Sequence, residues 1–163
     1  MRSDSINTNS SEYGEYRRKV VDLRDATYNV EANESGTIYT INKADGIDIV
    51  LPAAEAGLEY EFHIGTTCTG DALTITADSS SDTYQGLVQH HDKDSLGAVI
   101  AMNADIDTSA FDIPAAADYV LTLNAAADGW YLGGMLKFTC IDGAKWVIQG
   151  HLFGDGTATH IFS

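Results

Sequence analysis

The feature that most limits the fold of this chain is a strict alternation of apolar and polar side chains over residues 58–64. Alternation with a period of two is typical of a β-strand that has one face buried and the other in water. The side chains expected in the core are Leu58, Tyr60, Phe62 and Ile64. The intervening residues, Glu59, Glu61 and His63, are predicted to lie together on the outward face.

Short runs rich in β-branched and aromatic residues recur along the chain, separated by Gly, Asn and Asp. The runs predicted as further strands are residues 20–23, 36–41, 47–51, 73–76, 87–88, 98–102, 119–123, 130–132, 136–140, 145–149 and 159–162. The Ala-rich segments after Pro52 and Pro114 are too short to form helices that stand alone. This spacing predicts an all-β fold, an antiparallel β-sandwich or jelly-roll-like barrel over residues 20–163, with an extended N-terminal arm over residues 1–19.

Charge narrows the classes of partner. The 163 residues include 24 acids and 9 Lys or Arg, for a net charge of −15. This surplus argues against general binding to nucleic acid or to an anionic membrane, because both require bases. Apolar runs fall short of the roughly 20 residues that cross a bilayer, and the first residues lack the pattern of a secretory signal.

The bases are concentrated near the N-terminus. Residues 1–24 hold five bases and four acids, a net charge of +1, whereas the rest of the chain carries −16. The polar arm is either a plain disordered terminus or a segment that orders on a partner, and Tyr and Arg are enriched at binding surfaces. The candidate contact residues are Tyr13, Tyr16, Arg17, Arg18, Lys19 and Arg24.

Catalytic and metal-binding patterns are weak. The sequence has no nucleophile elbow, phosphate loop, dinucleotide fingerprint or His-Glu-x-x-His motif, and we expect no enzyme activity, metal or cofactor. His90, His91 and Asp92 fit either a metal site or, the interpretation we favour, a solvated loop. Asp105 and Asp107 resemble a calcium loop but lack the Gly and Glu of an EF-hand.

Two further residue sets have two interpretations each. Trp130, Tyr131 and Trp146 form either a sugar-stacking platform or, the interpretation we favour, ordinary core and interface packing. Cys68 and Cys140 are expected to be reduced, semi-buried thiols, although a disulfide is possible if their strands are neighbours.

Several segments together resemble structural proteins of tailed-phage virions. The resemblance rests on residues 28–37, 42–46 and 50–62, and on the late Asp-Gly-x-x-Trp hairpin at residues 142–150. It covers about residues 17–64 and 119–150, and leaves residues 77–118 unmatched. The resemblance implies the capsid decoration (cement) family.

A member of that family would be a non-enzymatic, β-rich late protein that binds the outer surface of the head and stabilises it. The implied partners are the major capsid protein and two further copies in a homotrimer. The protein would be made in the host cytoplasm and located on the capsid exterior. Since related motifs occur in tail and fibre proteins, the alternative is a head-fibre or tail-associated module that binds a receptor or carbohydrate.

Overall fold

The computed structural model describes residues 17–92, 111–124, 130–154 and 160–163. These residues form an all-β fold with one short 3₁₀ helix, Ala32–Glu34. The strands are β1 (Val20–Leu23), β2 (Thr27–Asn29), β3 (Ile38–Ile41), β4 (Ile47–Val50), β5 (Glu59–Ile64), β6 (Leu73–Thr76), β7 (Thr83–Asp92), β8 (Phe111–Asp112), β9 (Val120–Leu123), β10 (Met135–Asp142) and β11 (Lys145–Gly154).

The strands belong to two mixed sheets. The larger sheet has the order β1-β3-β5-β10-β11-β7-β8, and the smaller sheet has the order β2-β4-β6-β9. Five strand pairs are parallel and four are antiparallel. The expectation of purely antiparallel sheets is therefore wrong.

Parallel pairing arises because the first six strands alternate between the two sheets. Strands β1, β3 and β5 lie side by side in the larger sheet, and β2, β4 and β6 do so in the smaller one. Parallel neighbours require a long crossover, usually a helix. Here each crossover contains a strand of the opposite sheet, so no helix is needed.

The three successive strand pairs, β1–β2, β3–β4 and β5–β6, are not spaced at a regular interval in the sequence. In the larger sheet Val20 pairs with Ile38 and Ile38 pairs with Glu61, so the second interval along the chain is longer than the first. In the smaller sheet Asp48 pairs with both Thr27 and Thr74, and again the second interval is the longer one. Because the intervals between paired residues differ, the structural repetition has no fixed period in the sequence.

The buried residues of most strands belong to a single hydrophobic cluster. The alternation predicted for residues 58–64 is confirmed: Leu58 is 8% exposed, and Tyr60, Phe62 and Ile64 are exposed by 0%, 1% and 3%. The ring of Phe62 stacks on Tyr39 at a centroid distance of 5.0 Å and meets Phe138 edge-on at 5.6 Å. Aromatic rings therefore make up much of the buried face of the larger sheet.

The sequence predicts most strands correctly but fails for the runs at residues 130–132 and 159–162. Strands β1 and β6 have the predicted bounds, and β3, β4, β9, β10 and β11 overlap their predicted runs. Trp130 and Phe162 form only isolated bridges, and β2 and β8 were not predicted. The predicted strand over residues 98–102 lies outside the described residues.

The β10–β11 hairpin is present as predicted, with a fully buried Trp146, but its turn residues are Gly143 and Ala144, one residue later than the predicted Asp142-Gly143. The neighbouring β11–β7 pair depends on a different glycine. Gly86 has φ +129°, and a Cβ there would lie 2.0 Å from the carbonyl oxygen of Ile148. A side chain at residue 86 is therefore incompatible with this pairing.

Within the described residues, no helix is long and apolar enough to cross a membrane.

Candidate docking segment at the N-terminal edge

The N-terminal edge of the larger sheet begins at the predicted contact residues. The carbonyl of Lys19 accepts a hydrogen bond from the Ile38 amide at 2.9 Å, and the carbonyl of Leu23 accepts one from Asn42 at 2.9 Å. Backbone pairing with β3 therefore starts at Lys19, the last residue of the predicted arm. This pairing holds the chain in place as it enters the sheet.

Arg18 attaches the same segment to the outward face of β5. Its Nε donates to the carbonyl of Gly36 at 2.7 Å, and its Nη1 forms an ion pair with Glu61. The other oxygen of Glu61 lies 2.6 Å from Nε2 of His63. Burial acts to raise the pKa of the Glu61 carboxyl, but hydrogen bonds from His63 and Arg18 outweigh it and hold that pKa below its usual value.

Lys19 binds a second carboxylate, Glu34, at the end of the 3₁₀ helix. Its Nζ lies 2.6 Å from Oε1 of Glu34. The same carboxylate accepts hydrogen bonds from the hydroxyls of Tyr28 at 3.1 Å and Tyr39 at 3.0 Å, and from the amide of Glu31 at 3.3 Å. Glu34 therefore connects the N-terminal segment, β2, β3 and the 3₁₀ helix.

The electrostatics of this cluster follow from the burial of its carboxylate. Desolvation is the largest influence on Glu34 and acts to raise its pKa, but the hydrogen bonds it accepts outweigh this and lower the pKa overall. Burial, reinforced by the Glu34 charge, raises the pKa of the Tyr28 and Tyr39 hydroxyls. At neutral pH both tyrosines therefore remain protonated donors to an ionised Glu34.

The remaining candidate contact residues have different environments. Arg24 is exposed, and its Nε lies 2.7 Å from a carboxylate oxygen of Asp22, whose other oxygen accepts from Asn42 at 2.8 Å. Arg17 is exposed at the start of the described chain. Tyr13 and Tyr16 lie outside the described residues. Arg18, Lys19 and Arg24 therefore pair with acids of their own chain, which the sequence did not indicate.

The favoured interpretation of Trp130 and Trp146 as packed core residues is confirmed, and the sugar-stacking alternative is wrong for both. Trp130 and Trp146 are 0% exposed, and the indole of Trp130 donates to the carbonyl of Thr66 at 3.1 Å. Tyr131 is only partly exposed. The large aromatics at these positions are core residues, and no stacking surface is formed from the two indoles.

The His90-His91 pair lies in a strand, because β7 extends to Asp92, so the expected solvated loop is wrong for these residues. Adjacent strand residues point to opposite faces, and the two imidazoles therefore do not converge. His91 instead lies beside His151 of β11, which the sequence analysis did not single out. Asp105 and Asp107 lie outside the described residues. Over the described ranges, no three His, Cys, Asp or Glu side chains converge as metal ligands.

Cys68 and Cys140 are free thiols, as expected, and both are buried. Burial is the main cause that raises the pKa of the Cys140 thiol.

Comparisons with family models, with curated proteins and with solved structures find no match to this chain.

Proposed function

We propose that this chain is a non-enzymatic capsid decoration (cement) protein of a tailed phage. In this proposal it binds the outer surface of the head through the major capsid protein and stabilises the shell. It acts as a homotrimer on the exterior of the virion and needs no cofactor. The proposal starts from the resemblance of residues 17–64 and 119–150 to virion structural proteins.

The observation that carries the proposal is that these two distant segments are adjacent in the fold. Strand β5 of the first segment pairs with β10 of the second, from His63 opposite Met135 to Glu59 opposite Thr139. Five neighbouring strands of the larger sheet, β1-β3-β5-β10-β11, therefore come from the two resembling segments, apart from residues 151–154 at the end of β11. A likeness divided in sequence thus corresponds to one continuous sheet.

We further propose that the two sheets form a sandwich. Their buried side chains belong to a single hydrophobic cluster. One polar contact also joins them: the hydroxyl of Tyr84, on the larger sheet, donates to the carbonyl of Ile75, on the smaller sheet, at 3.0 Å. A rigid body of this kind suits a protein that adds stability to a shell without catalysis.

The charge distribution supports docking through the N-terminal segment. Residues 25–163 carry −16, and two of their four bases form ion pairs within the described residues, Lys43 with Asp45 and Lys137 with Glu59. Arg18 and Lys19 are paired as well, so their role in this proposal is to hold the arm at the sheet edge. Tyr13 and Tyr16 then make the contacts with the shell.

Avidity explains how so small a segment suffices. A surface ion pair contributes only about 0–1 kcal/mol, and a buried aromatic anchor contributes more. Three arms of a trimer bind one shell at high effective concentration, which raises occupancy well above that of a single arm. Light scattering that detects only the 17.5 kDa chain, in solution and after release from heads, contradicts the trimer.

The test is co-sedimentation with phage heads that lack this protein, over a series of salt concentrations. We compare the full chain with a deletion of residues 1–16, which retains the Arg18 and Lys19 anchors. The expected result is a folded protein, by circular dichroism, that no longer sediments with heads. If the deleted form sediments as well as the full chain at every salt concentration, the arm is not the docking segment.

A finer test uses point variants within the arm. The double variant Tyr13→Ala/Tyr16→Ala should bind at least about tenfold more weakly, because truncation of an aromatic anchor commonly costs more than about 1 kcal/mol. The matched control, Asn7→Ala/Asn9→Ala, alters the same segment without removing an aromatic ring and should bind normally. The full chain should also raise the melting temperature of the heads. Binding to tails or glycans and not to heads supports the fibre alternative.

A further inference from the structure

Two histidines that are distant in sequence meet on the outward face of the larger sheet. His91 lies on β7 and His151 on β11, which are parallel neighbours. In the register of these strands His151 is opposite Gln89 and His91 is opposite Phe153, so the two histidines are diagonal neighbours on one face. His151 is exposed and His91 is partly exposed, and ions in solvent therefore have access to the pair.

The two imidazole rings are nearly parallel, and one nitrogen of each ring faces the other ring. Nε2 of His91 lies 3.5 Å from Nδ1 of His151, while the ring centroids are 5.7 Å apart and the ring planes differ by 29°. This N–N separation is longer than an ordinary hydrogen bond of about 2.7–3.2 Å. Two nitrogens bound to one tetrahedral Zn²⁺ at about 2.05 Å are separated by about 3.4 Å, which is close to the observed distance.

From this geometry we propose that His91 and His151 form a binding site for a divalent transition-metal ion of the class that prefers imidazole, such as Zn²⁺. Nε2 of His91 and Nδ1 of His151 are the protein ligands, and water occupies the other coordination positions. The site is independent of the capsid proposal, because it involves neither the arm nor the N-terminal edge of the sheet.

The surroundings of His91 favour its role as a ligand. Phe153 lies against its ring at a centroid distance of 5.4 Å and an interplanar angle of 29°, which restricts the orientation of the imidazole.

The test is calorimetric titration of the full chain with Zn²⁺, and in parallel with Mg²⁺, a hard cation that prefers oxygen ligands. We expect saturable binding of one Zn²⁺ per chain and no saturable binding of Mg²⁺. His91→Ala and His151→Ala should each weaken Zn²⁺ binding at least about tenfold, since even the loss of a group that only orients a ligand has that effect. His160→Ala is the matched control, since it removes a histidine that lies beside Asp118 and Phe162, and it should leave binding unchanged.

A second measurement does not depend on the variants being folded. In the unaltered chain, side-chain NMR signals of ¹⁵N-labelled histidines should shift on addition of Zn²⁺ for His91 and His151 before His63 and His160. Unchanged affinity in both alanine variants, no uptake of Zn²⁺, or a first shift at the other histidines overturns the proposal. The two proposals can fail separately. A chain that binds Zn²⁺ but not phage heads contradicts only the proposed function, and a chain that binds heads but not Zn²⁺ contradicts only this inference.

Discussion

Two glutamates on the same face of β5 should respond differently to the loss of their charge. Glu59 pairs with Lys137 at 2.9 Å, and the two side chains are 37% and 38% exposed. Glu61 pairs with Arg18 and His63, and its own side chain is only 16% exposed. Because alternate residues of a strand share a face, the sequence treats the two glutamates as equivalent outward residues. The structure makes Glu61 the anchor of the N-terminal segment.

The magnitude follows from the number and exposure of the bonds. A hydrogen bond to a charged group contributes about 1.5–3 kcal/mol and a neutral one about 0.5–1.5 kcal/mol, so Glu61→Gln loses about 1 kcal/mol for each of two bonds. Solvent screening at the partly exposed partners reduces this sum, and we expect a total loss of about 1–2 kcal/mol. Glu59→Gln should cost no more than about 0.5 kcal/mol.

Urea unfolding followed by circular dichroism measures both variants at pH 7. In thermal melts, Glu61→Gln should lower Tm by roughly 2–8 °C, given about 2–4 °C per kcal/mol for a chain of this length. The double variant with Arg18→Gln should be less stable than Glu61→Gln only by the additional loss of the Arg18–Gly36 hydrogen bond, about 0.5–1.5 kcal/mol, because the charge pair is already lost. Equal destabilisation by Glu59→Gln and Glu61→Gln refutes the anchoring role.

The pH dependence gives a second check with a definite sign. The pKa of Glu61 is lower in the folded chain than its usual value. Its contribution is therefore complete above the unfolded pKa of about 4.3 and declines as the pH falls through the folded value. The stability gap between the unaltered chain and Glu61→Gln should narrow as the pH falls below about pH 4. A gap that persists unchanged at about pH 3 contradicts the ionic origin.

Three further predictions test the core and the strand pairing. Phe62→Asp should unfold the chain, with a loss above about 4 kcal/mol, because it buries an unpaired charge, whereas Phe62→Leu should still fold. Gly86→Ala should cost about 3 kcal/mol or more, since the new Cβ collides with the carbonyl of Ile148 at a positive φ. A melt within about 1–2 °C of the unaltered chain, about half a kcal/mol, contradicts the β7–β11 pairing. Cys68 and Cys140 should react with a thiol reagent only in denaturant, and rapid reaction in the native state shows that they are not buried.

The amino-acid sequence determined the strands and the direction of their side chains to a large extent. Alternation along residues 58–64 is a local pattern, and a strand with one buried face follows from it without knowledge of its neighbours. Turn chemistry, another local signal, placed the β10–β11 hairpin to within one residue, and Trp146 is buried as expected. The concentration of bases before residue 25 is likewise a property of the sequence alone.

Tertiary structure alone decided which strands pair and in which direction. A strand carries the same local pattern whether its neighbour is parallel or antiparallel, and the crossovers through the opposite sheet have no regular spacing. The same holds for contacts between distant residues, such as Arg18 with Glu61 and His91 with His151. Each of these pairs is created by the register of strands that are far apart in sequence, and a pattern confined to one strand contains no information about its partner.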